Sequence, residues 1–121
     1  MKFIPLILIF ICSNALAASA SWYSIEACQF NPDERCPTAS GISLYELEKR
    51  NEKFAAIWDV PFGTRLKVCN QDGGRCTVVI VRDRGPAKRL NRAIDLSKNT
   101  FFELSGGNLK EGLIEVTIER L

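Results

Sequence analysis

The chain has 121 residues, a net charge of +2 and no histidine. Acids and bases interspersed at so small a net charge exclude a dedicated nucleic-acid binder, which needs a basic stripe. The missing imidazole excludes Ser-His and Cys-His nucleophile pairs and removes the commonest general base and zinc ligand.

The first segment reads Met1-Lys2-Phe3-Ile4-Pro5, followed by the apolar run Leu6 to Ile11. That run is too short to cross a bilayer as a helix. Ala15-Leu16-Ala17 and Ala18-Ser19-Ala20 each fit the small-x-small pattern that signal peptidase reads, so cleavage is expected after Ala17 or Ala20. Residues 1–20 are therefore read as a cleaved leader and 21–121 as one mature domain, periplasmic or secreted. A membrane anchor or a buried first helix is the alternative. Bulky Phe10 and Ile11 precede Cys12, where a lipidation signal places a small residue, so no stable membrane anchor is expected. The remaining chain, about a hundred residues, is enough for a single core, and a monomer is expected.

Cys28, Cys36, Cys69 and Cys76 stay after cleavage. An even count in a small exported domain reads as a pair of disulfides. Three connectivities are open; the favoured one is Cys28–Cys36 with Cys69–Cys76. The latter pair flanks Asn70-Gln71-Asp72-Gly73-Gly74-Arg75, a turn-rich segment that sets cysteines opposite each other on two strands.

Ala20 to Ser24 reads as a first strand, with Trp22 and Tyr23 on opposite faces. Ile25 to Gly41 reads as an irregular loop with turn signals at Asn31-Pro32-Asp33 and Cys36-Pro37. Leu44 to Ala56 is mixed, with Leu44 and Leu47 on one face of a short helix. Thr64 to Cys69 alternates as a half-buried strand, and Cys76 to Asp83 is a β-branched run expected to be covered on both faces. Asp95-Leu96-Ser97 is read as the opening of a helix to about Leu104, with Ser97 as N-cap and Gly106-Gly107 as the stop. Leu113 to Glu119 is a last strand, with Ile114, Val116 and Ile118 on one face. Short strands, one or two short helices and many turns point to a small mostly-β barrel.

Four ordered segments resemble the rare lipoprotein A (RlpA) family: Ser21-Trp22-Tyr23; Thr38-Ala39-Ser40-Gly41; Ala55-Ala56 with Pro61-Phe62-Gly63-Thr64; and Asp83-Arg84-Gly85-Pro86 with Ile94-Asp95-Leu96-Ser97. The resemblance spans nearly all of 21–121. It implies a six-stranded double-psi β-barrel, related to the barrel of expansins, acting on peptidoglycan glycan strands as an endolytic transglycosylase without a cofactor. A non-catalytic, expansin-like glycan-binding or wall-loosening module is the alternative, and an exported inhibitor on the same barrel a third reading. Family members often carry Glu where this chain has Ile42 and His where it has Ile57, and they commonly have a lipidation signal and a second, glycan-targeting domain, neither of which is seen here.

Transglycosylation needs a protonated acid beside the glycosidic oxygen, hence a carboxyl group whose pKa is raised by burial or a like charge. Asp83, in phase with Val79 and Val81 at a strand end, is the first candidate and matches a proposed catalytic Asp of the family; capping of the Gly85-Pro86 turn or pairing with Arg84 is the alternative. Asp95 is the second; it matches the Asp that expansins keep in their groove, and helix-start capping is its alternative. Trp22 and Tyr23 are candidates to stack on sugars or to pack, and Thr38 and Ser40 to hydrogen-bond glycan or to build a turn. Glu46 or Glu48 is placed to replace the missing Glu or to form a solvated face. Arg84, with Arg65, Arg82 and Arg89, suits acidic groups of peptidoglycan. Trp58 is read as packing.

Overall fold

The computed structural model describes residues 15–121. The basic and apolar parts of the expected leader, and Cys12, lie outside the described residues. The chain forms a closed six-stranded barrel, in the order β1-β5-β2-β4-β3-β6. Its strands are β1 (Leu16–Tyr23), β2 (Phe54–Ala56), β3 (Arg65–Asn70), β4 (Cys76–Asp83), β5 (Ile94–Ser97) and β6 (Ile114–Arg120). Two short helices, α1 (Leu44–Lys49) and α2 (Lys98–Leu104), lie between strands. The pairs β1–β5 and β2–β4 are parallel and the other four antiparallel; β3–β4 is a hairpin, and long crossovers make the parallel pairs.

Alternation puts one face of each strand inside. Ala20, Leu66, Val68, Val79, Val81, Ile94, Leu96 and Val116 form the interior, and Phe101 and Leu104 of α2 complete it. A smaller cluster outside the barrel joins Leu44, Leu47 and Phe54 to the Cys28–Cys36 bridge. The second bridge, Cys69–Cys76, links directly paired residues of β3 and β4, as the favoured connectivity required.

Several boundaries differ from the sequence reading. The first strand begins at Leu16, and all of its antiparallel pairing with β6, Leu16↔Ile118 to Ala20↔Ile114, falls within the segment read as leader. The expected loop 25–41 contains a 3₁₀ turn over Ile25–Phe30. Phe54–Ala56 is a strand despite its alanines, because β4 and β5 pair with it on either side. β4 is fully buried on its inner face only, since Val78 and Ile80 remain partly open. Ile94–Ser97 is a strand, not the first turn of a helix: Ile94 and Leu96 point inward and α2 starts one residue after Ser97. The Ser97 hydroxyl makes no cap; it accepts from the Phe54 amide at 3.1 Å, while Asn99 Oδ1 accepts from the Thr100 amide.

Candidate active site

The barrel topology brings Asp83 and Asp95 to one place. Ala56, at the end of the short β2, is the register partner of Asp83 on β4 and of Asp95 on β5. The two aspartates therefore stand on either side of one alanine, with Cα atoms roughly 9–10 Å apart, two inter-strand spacings. A methyl group between them leaves the gap open. Gly85 faces it from the next loop: a Cβ there would lie 3.7 Å from Ala56 Cβ and 3.9 Å from Asp95 Oδ2, and its φ of +145° suits only glycine.

The two carboxyl groups are held differently. Asp83 meets only donors: Oδ1 accepts from the Ala39 amide at 2.8 Å and the Arg84 amide at 2.9 Å, and Oδ2 from the Tyr23 hydroxyl at 2.8 Å. The Arg84 amide lies next to the Gly85-Pro86 turn of the capping alternative, whereas the Ala39 amide comes from a different turn. Asp95 is half-buried in β5, where helix capping does not arise, and its Oδ1 accepts from the Ser21 hydroxyl. Burial is the main influence on Asp95 and raises its pKa; Ser21 and the Arg92 charge act against this, and the Asp83 charge adds to it. Tyr23 feels both aspartates: burial first, then the Asp83 charge and hydrogen bond and the Asp95 charge, keep its phenol protonated well above the usual range.

Among the described residues no guanidinium forms an ion pair with either aspartate. Arg82 is bound by Glu52 at 2.9 Å, and that hydrogen bond raises its pKa further. Arg84 lies over the Phe62 ring, 3.9 Å from its centroid, and donates to the Ile57 carbonyl at 3.1 Å.

The other expected site residues separate into groups. Tyr23 is at the pair. Trp22 points the other way and packs against the core, its Nε1 donating to the Leu109 carbonyl at 3.1 Å. Thr38 and Ser40 build a turn: Thr38 Oγ1 donates to the Ile42 carbonyl at 2.7 Å and the Ser40 amide to the Arg82 carbonyl at 3.1 Å. That turn presents the Ala39 amide to Asp83. Glu46 sits on the exposed side of α1, paired with Arg50 at 3.1 Å, which is the solvated-face alternative. Ile42 and Ile57 pack against the outer cluster and the barrel core respectively.

Sequence reading missed Ser21 and Ala56 as site residues. Alternation from Tyr23 puts Ser21 on the same face, which was a usable signal; Ala56 gains its place only from strand order. The outward residues of β1 and β5 form a row. Ser19 lies beside Ala93, whose amide donates to it at 3.0 Å; Ser21 pairs with Asp95, and Tyr23 with Ser97. A polar cavity of about 490 Å³ adjoins the Ser19/Ala93 end and an apolar one of about 430 Å³, with Phe54 and Phe102, the Tyr23/Ser97 end. Asp95 stands midway.

Residues 15–118 match the family described as "Lytic transglycolase". The chain is 41% identical over 85 residues to a Nostoc protein and 37% identical over 103 residues to one from Aquifex aeolicus, both named "Probable endolytic peptidoglycan transglycosylase RlpA". These alignments take in 70% and 85% of the chain but 21% and 40% of the relatives, so the chain spans less than half the length of these two curated proteins. Among solved structures, apo-expansin of Clavibacter michiganensis superposes with a TM-score of 0.61 at 18% identity, covering 88% of this chain and 50% of that one. A Streptomyces papain inhibitor does so at 0.59 and 22%, covering 88% and 94%. Those two likenesses are of fold. The motif set, the closed barrel and the family match together make the chain a member of the lytic transglycolase family, with an RlpA-like double-psi barrel.

Proposed function

We propose that this protein is an exported enzyme that cleaves peptidoglycan glycan strands by transglycosylation, with Asp95 as the proton donor. The observation that carries the reading is the Asp83–Ala56–Asp95 row: two carboxyl groups across one small residue, neither held by a cation among the described residues. Burial and the neighbouring Asp83 charge favour a proton on Asp95. Asp83, surrounded by donors, suits an anion that faces the positive charge growing on the sugar ring.

In the proposed reaction Asp95 gives its proton to the bridging oxygen as the C1–O bond breaks. The resulting carboxylate then takes the proton from the C6 hydroxyl of the same sugar, whose oxygen bonds to C1. Asp95 ends protonated, an anhydro ring forms and no water is consumed. One carboxyl group thus serves as acid and then base, whereas the usual hydrolytic route needs two such groups with defined roles. Space on both sides of Asp95 fits a strand cut internally.

The test is incubation of the mature protein with purified sacculi and mass spectrometry of the soluble products. Anhydro-muramic ends are expected, and Asp95→Asn should abolish them while leaving the far-ultraviolet spectrum unchanged. Undiminished product from Asp95→Asn would overturn the assignment of the acid. A second reading, an expansin-like module that binds glycan without turnover, draws support from Ile42 and Ile57, which supply neither carboxyl nor imidazole. Sacculus pull-down without products would favour it.

A further inference from the structure

The cavity at the Ser19/Ala93 end carries chemistry that the aspartates do not use. It is lined by Trp58, Lys88, Asn91 and Arg92, with Glu115 at its edge. Trp58 is 39% exposed yet fixed: its Nε1 donates to the Pro86 carbonyl at 2.7 Å, and Lys88 Nζ stands 5.1 Å from the ring centroid. Pro86 follows Gly85, the residue that faces Asp95, so the same loop holds the indole and borders the acid. Among the described residues neither Lys88 nor Arg92 has an ion-pair partner. Arg92 is close enough for its charge to act on Asp95. Glu115 is engaged by the Ser19 hydroxyl at 2.6 Å. The cavity thus offers a pinned aromatic plane, two free cations and one carboxylate already bonded, a net positive, hydrogen-bonding surface. It starts one outward pair, or roughly 7 Å of strand, from Asp95. The cavity at the opposite end is apolar.

Resting on the glycan-cleaving reading above, we infer that this cavity is a subsite for a sugar unit that bears a carboxylate, with Trp58 against the ring and Lys88 and Arg92 on the acid group. An aromatic face suits the apolar side of a pyranose, and a guanidinium suits a carboxylate through paired hydrogen bonds. The carboxylate comes either from the lactyl ether of muramic acid or from an attached stem peptide. The opposite cavity, whose lining lysine, Lys98, is paired with Glu26 at 3.8 Å, takes the neutral sugar. The strand is thereby oriented across Asp95.

Binding to the full mature chain carrying Asp95→Asn tests this, with three probes measured by calorimetry. These are peptide-free glycan strands, peptide-bearing strands, and oligomers of N-acetylglucosamine, which have no carboxylate. The acidic strands should bind about five- to tenfold more tightly than the neutral oligomers, as two solvent-facing ion pairs allow. That preference should fade as salt is raised. Lys88→Gln with Arg92→Gln should erase the preference and leave the neutral oligomers unchanged, while Trp58→Ala should weaken all three. Preference already present for peptide-free strands identifies the lactyl group; preference for peptide-bearing strands alone identifies the stem peptide. Equal affinity for all probes, or a preference that survives the double substitution, would overturn the subsite. Because binding is read without turnover, that failure is distinct from an absence of anhydro products, which bears on the enzyme reading alone.

Discussion

Removing Leu16–Ala20 tests the role of the first strand, which lies across the two expected cleavage points. A chain starting at Ser21 loses all five β1–β6 register pairs, from Leu16↔Ile118 to Ala20↔Ile114. One starting at Ala18 loses only the outer two, including Leu16, which is 71% exposed. At about 1 kcal/mol per hydrogen bond, the lost ladder amounts to about 5 kcal/mol. Fully buried Ala20 is removed as well, and the buried flank of β6 (Ile114, Val116 and Ile118) loses its cover. Since a small domain is stable by only ~5–15 kcal/mol, the barrel should open or sit near its limit. The two chains differ by the three pairs of Ala18, Ser19 and Ala20, about 3 kcal/mol, so for a domain of this size the gap in Tm between them should be roughly 12–24 °C. Thermal melts of both chains followed by circular dichroism, with mass spectrometry of the exported protein, make the comparison. We expect the natural N-terminus at Ala18. A Ser21-initiated chain that melts within about 5 °C of the longer one would refute the reasoning, because Ala18–Ala20 would then contribute almost nothing to the barrel.

The raised pKa of Asp95 has a signed consequence for stability. The folded state holds its proton to higher pH than the unfolded chain, whose aspartate titrates near ~3.9, so stability falls as pH rises from there through the folded value. Asp95→Asn removes that penalty, and its advantage over the parent in urea melts should grow across this window; an advantage independent of pH would contradict it. Leu96→Ala, at a fully buried position between the active strands, should cost about 2–5 kcal/mol by chemical denaturation. The two disulfides close loops of similar length, 8 and 7 residues apart in sequence, so removing either should cost ~2–3 kcal/mol. Activity should separate them: loss of Cys28–Cys36 loosens the segment that carries the Ala39 amide to Asp83, whereas Cys69–Cys76 lies on the far hairpin. Equal loss of glycan cleavage in the two double-serine variants would argue against that difference.

Much of the barrel is written in local pattern. Period-two alternation in Arg65–Asn70, Cys76–Asp83 and Ile114–Arg120 assigns the inner faces without knowledge of their neighbours. The turn-rich segment between Cys69 and Cys76 likewise dictates a hairpin and its cross-strand bridge. Those features depend on residues close in sequence, and so do the motif segments that carry the family likeness.

Tertiary structure decided the rest. Phe54–Ala56 and Ile94–Ser97 are too short and too weakly patterned to declare themselves; each is a strand because neighbours on both sides pair with it. Leu16–Ala20 has the small residues of a cleavage site and becomes a strand only against β6. The assembly of Asp83, Ala56 and Asp95 depends on a parallel and an antiparallel partner meeting at one alanine, a long-range register that no local periodicity encodes. The difference between the two carboxyl groups, one ringed by donors and one desolvated, follows from that placement and not from their flanking residues.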